Sequence, residues 1–150
     1  MTDPDFKLQP GERLCDLGRH GLQMIQRLGD GCFSQDSVLL ADFAWVRPGD
    51  RVCDLGAGDG ALSLLLLARE PSIFCEMVEI REELCRRAER SALLNGISSS
   101  VKVRCADAAR APEYLKRGSF DLVVSNPPYY PETEDDMLPG RRLARQQASL

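Results

Sequence analysis

The chain has 150 residues, of which 43% are apolar, 28% charged and 6% aromatic. This length predicts one domain with a sizeable core, and the apolar share excludes a disordered chain. The formal net charge of -4 lacks the basic surplus of a dedicated nucleic-acid module. A nucleic-acid partner therefore has to be argued from a local site.

Targeting segments and metal ligands are not evident in the sequence. The densest apolar run, residues 61–68, is far shorter than the roughly 20 residues of a membrane helix. Residues 1–13 lack an apolar stretch behind a basic region, so we expect no signal peptide. The six cysteines are dispersed without a Cys-x-x-Cys pair, and His20 is the only histidine. These features predict a cytoplasmic protein with reduced, mostly buried thiols, no metal site and no membrane partner.

The first third of the chain is predicted to be a helical segment, residues 1–47, ahead of the core in residues 48–150. Residues 18–28 favour a helix, which Gly18 and Gly21 within it and Gly29 after it weaken. Residues 37–46 favour a second helix, with Ser34 or Ser37 as its cap.

From residue 51 onward, strand and helix patterns alternate. Strands are predicted for residues 51–55, 72–80, 101–105 and 120–124, and helices for residues 60–69 and 81–95. This alternation predicts an α/β domain with a parallel sheet, helices on both faces and right-handed connections.

The first of these strands runs into a glycine-rich turn, Asp54-Leu55-Gly56-Ala57-Gly58-Asp59-Gly60-Ala61. Glycines between a strand and a helix let a ligand approach the backbone closely. Gly56, Gly58 and Ala61 also satisfy the loose dinucleotide fingerprint G-x-G-x-x-G/A, so a dehydrogenase is one alternative.

The carboxylates around the turn favour a cationic ligand over one that carries phosphates. A dinucleotide places its pyrophosphate at the helix N-terminus, where Asp54 and Asp59 would repel it. S-adenosylmethionine instead presents an ammonium and a sulfonium. Glu79 ends the second strand, where it can accept from both ribose hydroxyls, and Asp107 follows the third, where it can accept from the adenine amino group. The pattern favours S-adenosylmethionine, although Asp54 and Glu79 can each be a solvated strand end and Asp59 an ordinary N-cap.

The fourth strand leads into Ser125-Asn126-Pro127-Pro128-Tyr129-Tyr130. The prolines hold the backbone extended, which leaves the Asn126 side-chain oxygen and the Pro127 carbonyl to accept both hydrogens of a planar amino group. Such binding localises the nitrogen lone pair for attack on a methyl group without a strong base. Tyr129 would stack on the substrate ring. The alternatives are a loop that only ends a strand, and a ligand of a WW domain.

Together these motifs resemble those of class I S-adenosylmethionine-dependent methyltransferases. The resemblance rests on residues 54–60, Val78-Glu79-Ile80, Asp107 and Asn126-Pro127-Pro128-Tyr129. The last motif is shared by enzymes that methylate adenine or cytosine amino groups in nucleic acids and glutamine side chains in proteins. Residues 22–26 and 32–43 are similar to the N-terminal region of bacterial valine-tRNA adenine-N6 methyltransferases, where this stretch packs beside the cofactor.

The resemblance implies a Rossmann-like sheet of seven strands, of which this chain would contain four and lack the last three. It implies that the cofactor is held by Asp54, Gly56, Gly58, Glu79, Asp107 and Asn126. Asn126, Pro127 and Tyr129 would act on the amino group, and the implied substrate is adenine N6 in RNA, most of all tRNA. A protein glutamine methyltransferase and a non-catalytic cofactor-binding module are the alternatives.

Overall fold

The computed structural model of the protein describes residues 7–29 and 33–127. In chain order these residues form β1 (Glu12–Asp16), β2 (Gln23–Arg27), α1 (Gln35–Phe43), β3 (Arg51–Leu55), α2 (Ala61–Arg69), β4 (Phe74–Glu79), α3 (Glu82–Leu94), β5 (Val101–Cys105), α4 (Ala111–Tyr114) and β6 (Leu122–Ser125). The 3₁₀ turns Ser98–Ser100 and Ala108–Arg110 precede β5 and α4. The elements predicted from residue 37 onward are confirmed, with ends that differ by a few residues.

The main sheet has the strand order β5-β4-β3-β6, and all its neighbouring strands are parallel. Helices alternate with these parallel strands, which confirms the predicted α/β class. Because such connections are right-handed as a rule, we expect α2 and α3 on one face of the sheet and α4 on the other. The chain moves from β3 outward to β5 and then returns to the other side of β3. Ligands bind at such a reversal of strand order, beyond the carboxyl ends of the strands.

Helix α2 forms the centre of the core because it is apolar around its whole circumference. Residues 61–68 are all buried, and the helix contacts both α1 and β4. Its last residue, Arg69, donates to the backbone carbonyls of Ala41, Asp42 and Ala44, which fixes the end of α1. Within residues 7–29 and 33–127, no helix is long and apolar enough to cross a membrane.

The helix predicted for residues 18–28 is wrong, because this region forms an antiparallel hairpin of β1 and β2. Gly18, His20 and Gly21 all have positive φ, so the backbone turns where a helix would have to continue. Within residues 7–29 and 33–47, the two strands come first and α1 is the only helix. The domain boundary after residue 47 stays a prediction.

Helix α3 stabilises the hairpin, because β2 packs against it. The backbone N–H of Ile25 donates to Ser91 Oγ at 2.9 Å, and that of Gln23 donates to Asn95 Oδ1 at 2.9 Å. An ion pair of 2.7 Å between Arg90 and Glu12 ties β1 to the same helix. Side chains of α3 thus accept hydrogen bonds from backbone N–H groups at the edge of β2. No local sequence pattern indicates this tertiary interaction.

The cysteines of the described residues are free thiols, as predicted, and only Cys105 among them is exposed. Burial raises the pKa of Cys53 to about 11 and that of Cys75 to about 12. Both thiols are therefore protonated at neutral pH and contribute apolar packing rather than nucleophilic chemistry.

Candidate active site

The register of the sheet brings the predicted site residues to one edge. Leu55 at the end of β3 pairs with Val78 of β4 on one side and with Ser125 of β6 on the other. Glu79 pairs with Cys105, the last residue of β5. The glycine turn, Glu79 and the residues that follow β5 and β6 consequently share the carboxyl edge of the sheet.

The glycine turn wraps over the end of β4. The N–H groups of Gly56 and Ala57 both donate to the carbonyl of Val78, at 2.9 and 3.0 Å. Gly56 and Gly58 have φ values of 72° and 60°, which favour glycine. A Cβ atom built on either glycine would meet nothing within 4 Å. The turn therefore exposes bare backbone to open space, as close approach of a cofactor requires.

Glu79 is buried beneath this turn, with 5% of its surface exposed. Its Oε2 accepts from the Gly58 N–H at 2.9 Å, and its Oε1 accepts from the backbone and Nε of Arg81, at 3.0 and 3.1 Å. Since a carboxylate has about four lone-pair sites, a ribose hydroxyl would share this carboxylate with protein donors. Glu79 is thus both a scaffold of the turn and the predicted ribose ligand.

Asp54, at the entrance of the turn, is 1% exposed and faces α2. Its Oδ2 accepts from Ser63 Oγ at 2.8 Å, and the backbone N–H of Ser63 also donates to the carboxyl group. The carboxyl group therefore caps the first turn of α2, where a dinucleotide would place its pyrophosphate. The predicted contact of Asp54 with the cofactor stays a prediction.

Burial raises the pKa of Asp54 from 3.8 to about 6, against the opposing effect of the Ser63 hydrogen bonds. Between these values the folded state holds a proton that the unfolded chain releases, so this contribution to stability is lost as pH rises through 6. We expect wild type to lose about 2 kcal/mol relative to Asp54→Asn between pH 4.5 and 7.5 in urea unfolding. Equal differences at both pH values would contradict this assignment.

Asp59 contacts the hairpin instead of capping α2. The N-cap position of α2 is Gly60, and Asp59 Oδ2 lies 3.4 Å from Nε2 of the buried Gln26. Gln26 Oε1 in turn accepts from Cys15 Sγ at 2.8 Å. The N-cap alternative for Asp59 is therefore wrong. The contact of Gln26 with Asp59 was not predicted, although residues 22–26 were expected beside the cofactor.

Asp107 lies two residues beyond β5 and is half-buried. Its Oδ1 accepts from the Ala109 N–H at 2.9 Å, while its backbone carbonyl accepts from the Tyr114 hydroxyl at 2.7 Å. These bonds anchor the 3₁₀ turn Ala108–Arg110 at the outer end of the site. Recognition of an adenine amino group by Asp107 stays a prediction.

Asn126 follows β6 directly and reaches the N-terminus of α1. Its Nδ2 donates to Ser37 Oγ at 3.0 Å and lies 3.4 Å from Ser34 Oγ. Ser34, one of the two predicted cap candidates, is the N-cap of α1. Pro127 is half-buried beside Asn126, and Tyr129 lies outside the described residues. The sequence predicted both serines as cap candidates within a stretch beside the cofactor, but it did not predict their contact with Asn126.

The chain matches the family model of the methyltransferase small domain over residues 30–149. It is also 38% identical over 117 residues to a tRNA1(Val) (adenine(37)-N6)-methyltransferase of Enterobacter sp. (strain 638). That alignment covers 77% of this chain and 47% of the relative. The chain thus spans about half the length of the curated relatives that it matches.

Solved structures agree on the fold. A SAM-dependent O-methyltransferase from Thermotoga maritima aligns with a TM-score of 0.52 and 27% identity, over 63% of this chain and 35% of that one. A SAM-dependent methyltransferase from Thiobacillus denitrificans, in complex with S-adenosyl-L-homocysteine, aligns with a TM-score of 0.52 and 22% identity, over 62% and 36%.

The family match covers the glycine turn, the three other strand ends and Asn126 together. It confirms the resemblance to methyltransferases that the motifs indicated. The chain belongs to the methyltransferase small domain family.

Proposed function

We propose that this chain binds S-adenosylmethionine at the carboxyl edge of its sheet and acts in methyl transfer to adenine N6 in tRNA. The cofactor would lie over Gly56 and Gly58, with Glu79 at the ribose, Asp107 at the adenine and Asp54 below the turn. The open space at both glycines and the absence of a positive side chain from the glycine turn itself suit a cofactor without phosphate.

The position of β6 carries the proposal for the reaction. Ser125 pairs with Leu55, and its hydroxyl donates to the Leu55 carbonyl at 2.8 Å. Since Gly56 follows Leu55 and Asn126 follows Ser125, the glycine turn and the Asn126-Pro127 pair start side by side. A group held by Asn126 and Pro127 would therefore lie next to a cofactor held by the turn.

The role of Asn126 and Pro127 is to orient a weak nucleophile. Bound S-adenosylmethionine supplies an electrophilic methyl group. The Asn126 Oδ1 and the Pro127 carbonyl would each accept one hydrogen of the amino group, which favours a pyramidal nitrogen with its lone pair aimed at that methyl group. Tyr129 would stack on the base, and no strong general base is required.

The choice of tRNA adenine over a protein amide is supported by the curated relatives, whose printed name is tRNA1(Val) (adenine(37)-N6)-methyltransferase at 31–38% identity. The similarity of residues 32–43 to the same group supports it too. A tRNA substrate would also agree with the expected cytoplasmic location.

Transfer of label from radioactive S-adenosylmethionine tests the proposal. The chain is incubated separately with unmodified valine tRNA, with a tRNA of different anticodon and with a bacterial release factor. We expect label in valine tRNA, recovered as N6-methyladenosine by mass spectrometry, and none in the protein. Label on a release-factor glutamine, or on none of the three acceptors, would contradict the proposed substrate.

A further inference from the structure

The amide of Asn126 is held by two serine hydroxyls from a distant part of the chain. Ser37 and Ser34 lie 89 and 92 residues before Asn126, in the first turn of α1 and at its N-cap. Ser37 is buried, with 8% of its surface exposed. The Ser34 hydroxyl also accepts from the Ser37 backbone N–H at 3.3 Å, which fixes both serines relative to α1.

The orientation of this amide decides what Asn126 can bind. A planar side-chain amide has one arm that accepts hydrogen bonds, Oδ1, and one that donates them, Nδ2. With Nδ2 turned to the serines, Oδ1 is the arm that faces away from α1. An amide rotated by 180° would present N–H groups to an amino group that itself has only hydrogens to offer.

Ser37 Oγ is the nearer acceptor of Nδ2 at 3.0 Å, and Ser34 Oγ is a second, longer contact at 3.4 Å. Ser34 Oγ and Ser37 Oγ lie 3.5 Å apart, so one amide nitrogen reaches both. A hydroxyl can donate as well as accept, and therefore the direction of the amide has to be read directly in an experiment.

We propose that Ser37, assisted by Ser34, is a positioning residue that holds the Asn126 amide with its oxygen toward the reacting amino group. The inference rests on the proposed function, because it assumes that Oδ1 binds this amino group. It adds that the N-terminus of α1 serves the reaction through Asn126 and without touching the substrate.

Ser37→Ala tests the positioning role, with Ser37→Thr as the conservative variant and Ser99→Ala as a control on an exposed turn. Alanine is the better helix former, so α1 is retained. We expect Ser37→Ala to lower kcat on tRNA about tenfold, with KM and S-adenosylhomocysteine affinity within about twofold of wild type. Ser37→Thr keeps the hydroxyl and should stay within about threefold of the wild-type kcat.

A double-mutant cycle isolates the route through Asn126. In an Asn126→Ala background, Ser37→Ala should lower kcat no further, because the group that it positions is already absent. An unchanged kcat in Ser37→Ala would overturn the proposal. The proposal would also be overturned if Ser37→Ala lowered kcat by the same factor in the wild-type and Asn126→Ala backgrounds. Ser37 would then act independently of Asn126.

Nuclear magnetic resonance reads the amide direction without any substrate. We expect nuclear Overhauser contacts between the Nδ2 hydrogens of Asn126 and the Hβ atoms of Ser37, lost in Asn126→Ala. Absence of these contacts in the folded wild type would overturn the inference whatever the substrate is. A wild type that shows the contacts but methylates no tRNA would contradict the proposed function while the amide orientation stands.

Discussion

Asn126→Ala is expected to lower kcat for methyl transfer to tRNA about a hundredfold or more, because it removes an acceptor whose bond to the amino group strengthens as the nitrogen becomes pyramidal. Affinity for S-adenosylhomocysteine should change by less than about threefold, since the glycine turn and Glu79 are retained. Single-turnover transfer of label, with titration calorimetry of the same variant, measures both quantities.

Val123→Ala is the matched control for Asn126→Ala, because Val123 lies on the same strand, β6, and is 55% exposed. We expect this variant to keep kcat within about twofold of wild type, as surface substitutions away from a site do. A wild-type kcat in Asn126→Ala would remove the central residue of the proposed chemistry. A parallel loss of S-adenosylhomocysteine affinity would instead make Asn126 mainly a cofactor ligand.

Glu79→Gln should weaken S-adenosylhomocysteine binding about ten- to a hundredfold, the second large effect. The substitution keeps the shape of the side chain but replaces one accepting oxygen with a donating NH₂. That NH₂ would face either the Gly58 N–H or the Arg81 N–H, and both are donors. It would also leave one fewer acceptor for the ribose hydroxyls.

Calorimetric titration of Glu79→Gln is compared with Glu89→Gln, an exposed position on α3. The control should bind S-adenosylhomocysteine like wild type. If Glu79→Gln also binds like wild type and has the same thermal midpoint, the carboxylate neither shapes the turn nor binds the ligand. A lower midpoint with unchanged affinity would assign Glu79 to the scaffold of the turn alone.

The elements from α1 to β6 could be predicted because their local patterns agree with their environment. The continuous apolar run of α2 becomes a helix buried on all sides, and in α3 the apolar residues Leu84, Ala88 and Ala92, spaced four apart, are all buried. The order of acids and glycines along the chain was enough to assign the ligand edge, because parallel strands bring their carboxyl ends together.

The hairpin could not be predicted from its own residues. Two of the five residues 23–27 are apolar, and residues 17–22 carry no turn dipeptide of a standard hairpin. Ser91 and Asn95 supply hydrogen-bond partners for this strand from 66 and 72 residues away. A local pattern cannot report such partners, and the helical reading of residues 18–28 failed for that reason.

The hydrogen bonds between side chains of the site could not be predicted from the sequence either. The contact of Asp54 with a cationic ligand stays a prediction, while the hydrogen bond that its carboxyl group accepts from Ser63 of α2 could not be predicted from the sequence. The acid at this position is thus part of the architecture of the turn. Ser37 was predicted only near the start of a helix, as one of two cap candidates. Its hydrogen bond with Asn126 depends on the tertiary fold, because the two residues are 89 positions apart.

The central claim, that the carboxyl edge of this sheet is a site for S-adenosylmethionine, is tested most directly by calorimetric titration of the folded chain with S-adenosylhomocysteine, with NAD as the control. The glycine turn and its surrounding acids predict micromolar binding of S-adenosylhomocysteine and none of NAD. A chain with a cooperative thermal transition that binds NAD, or binds neither ligand, would contradict the claim.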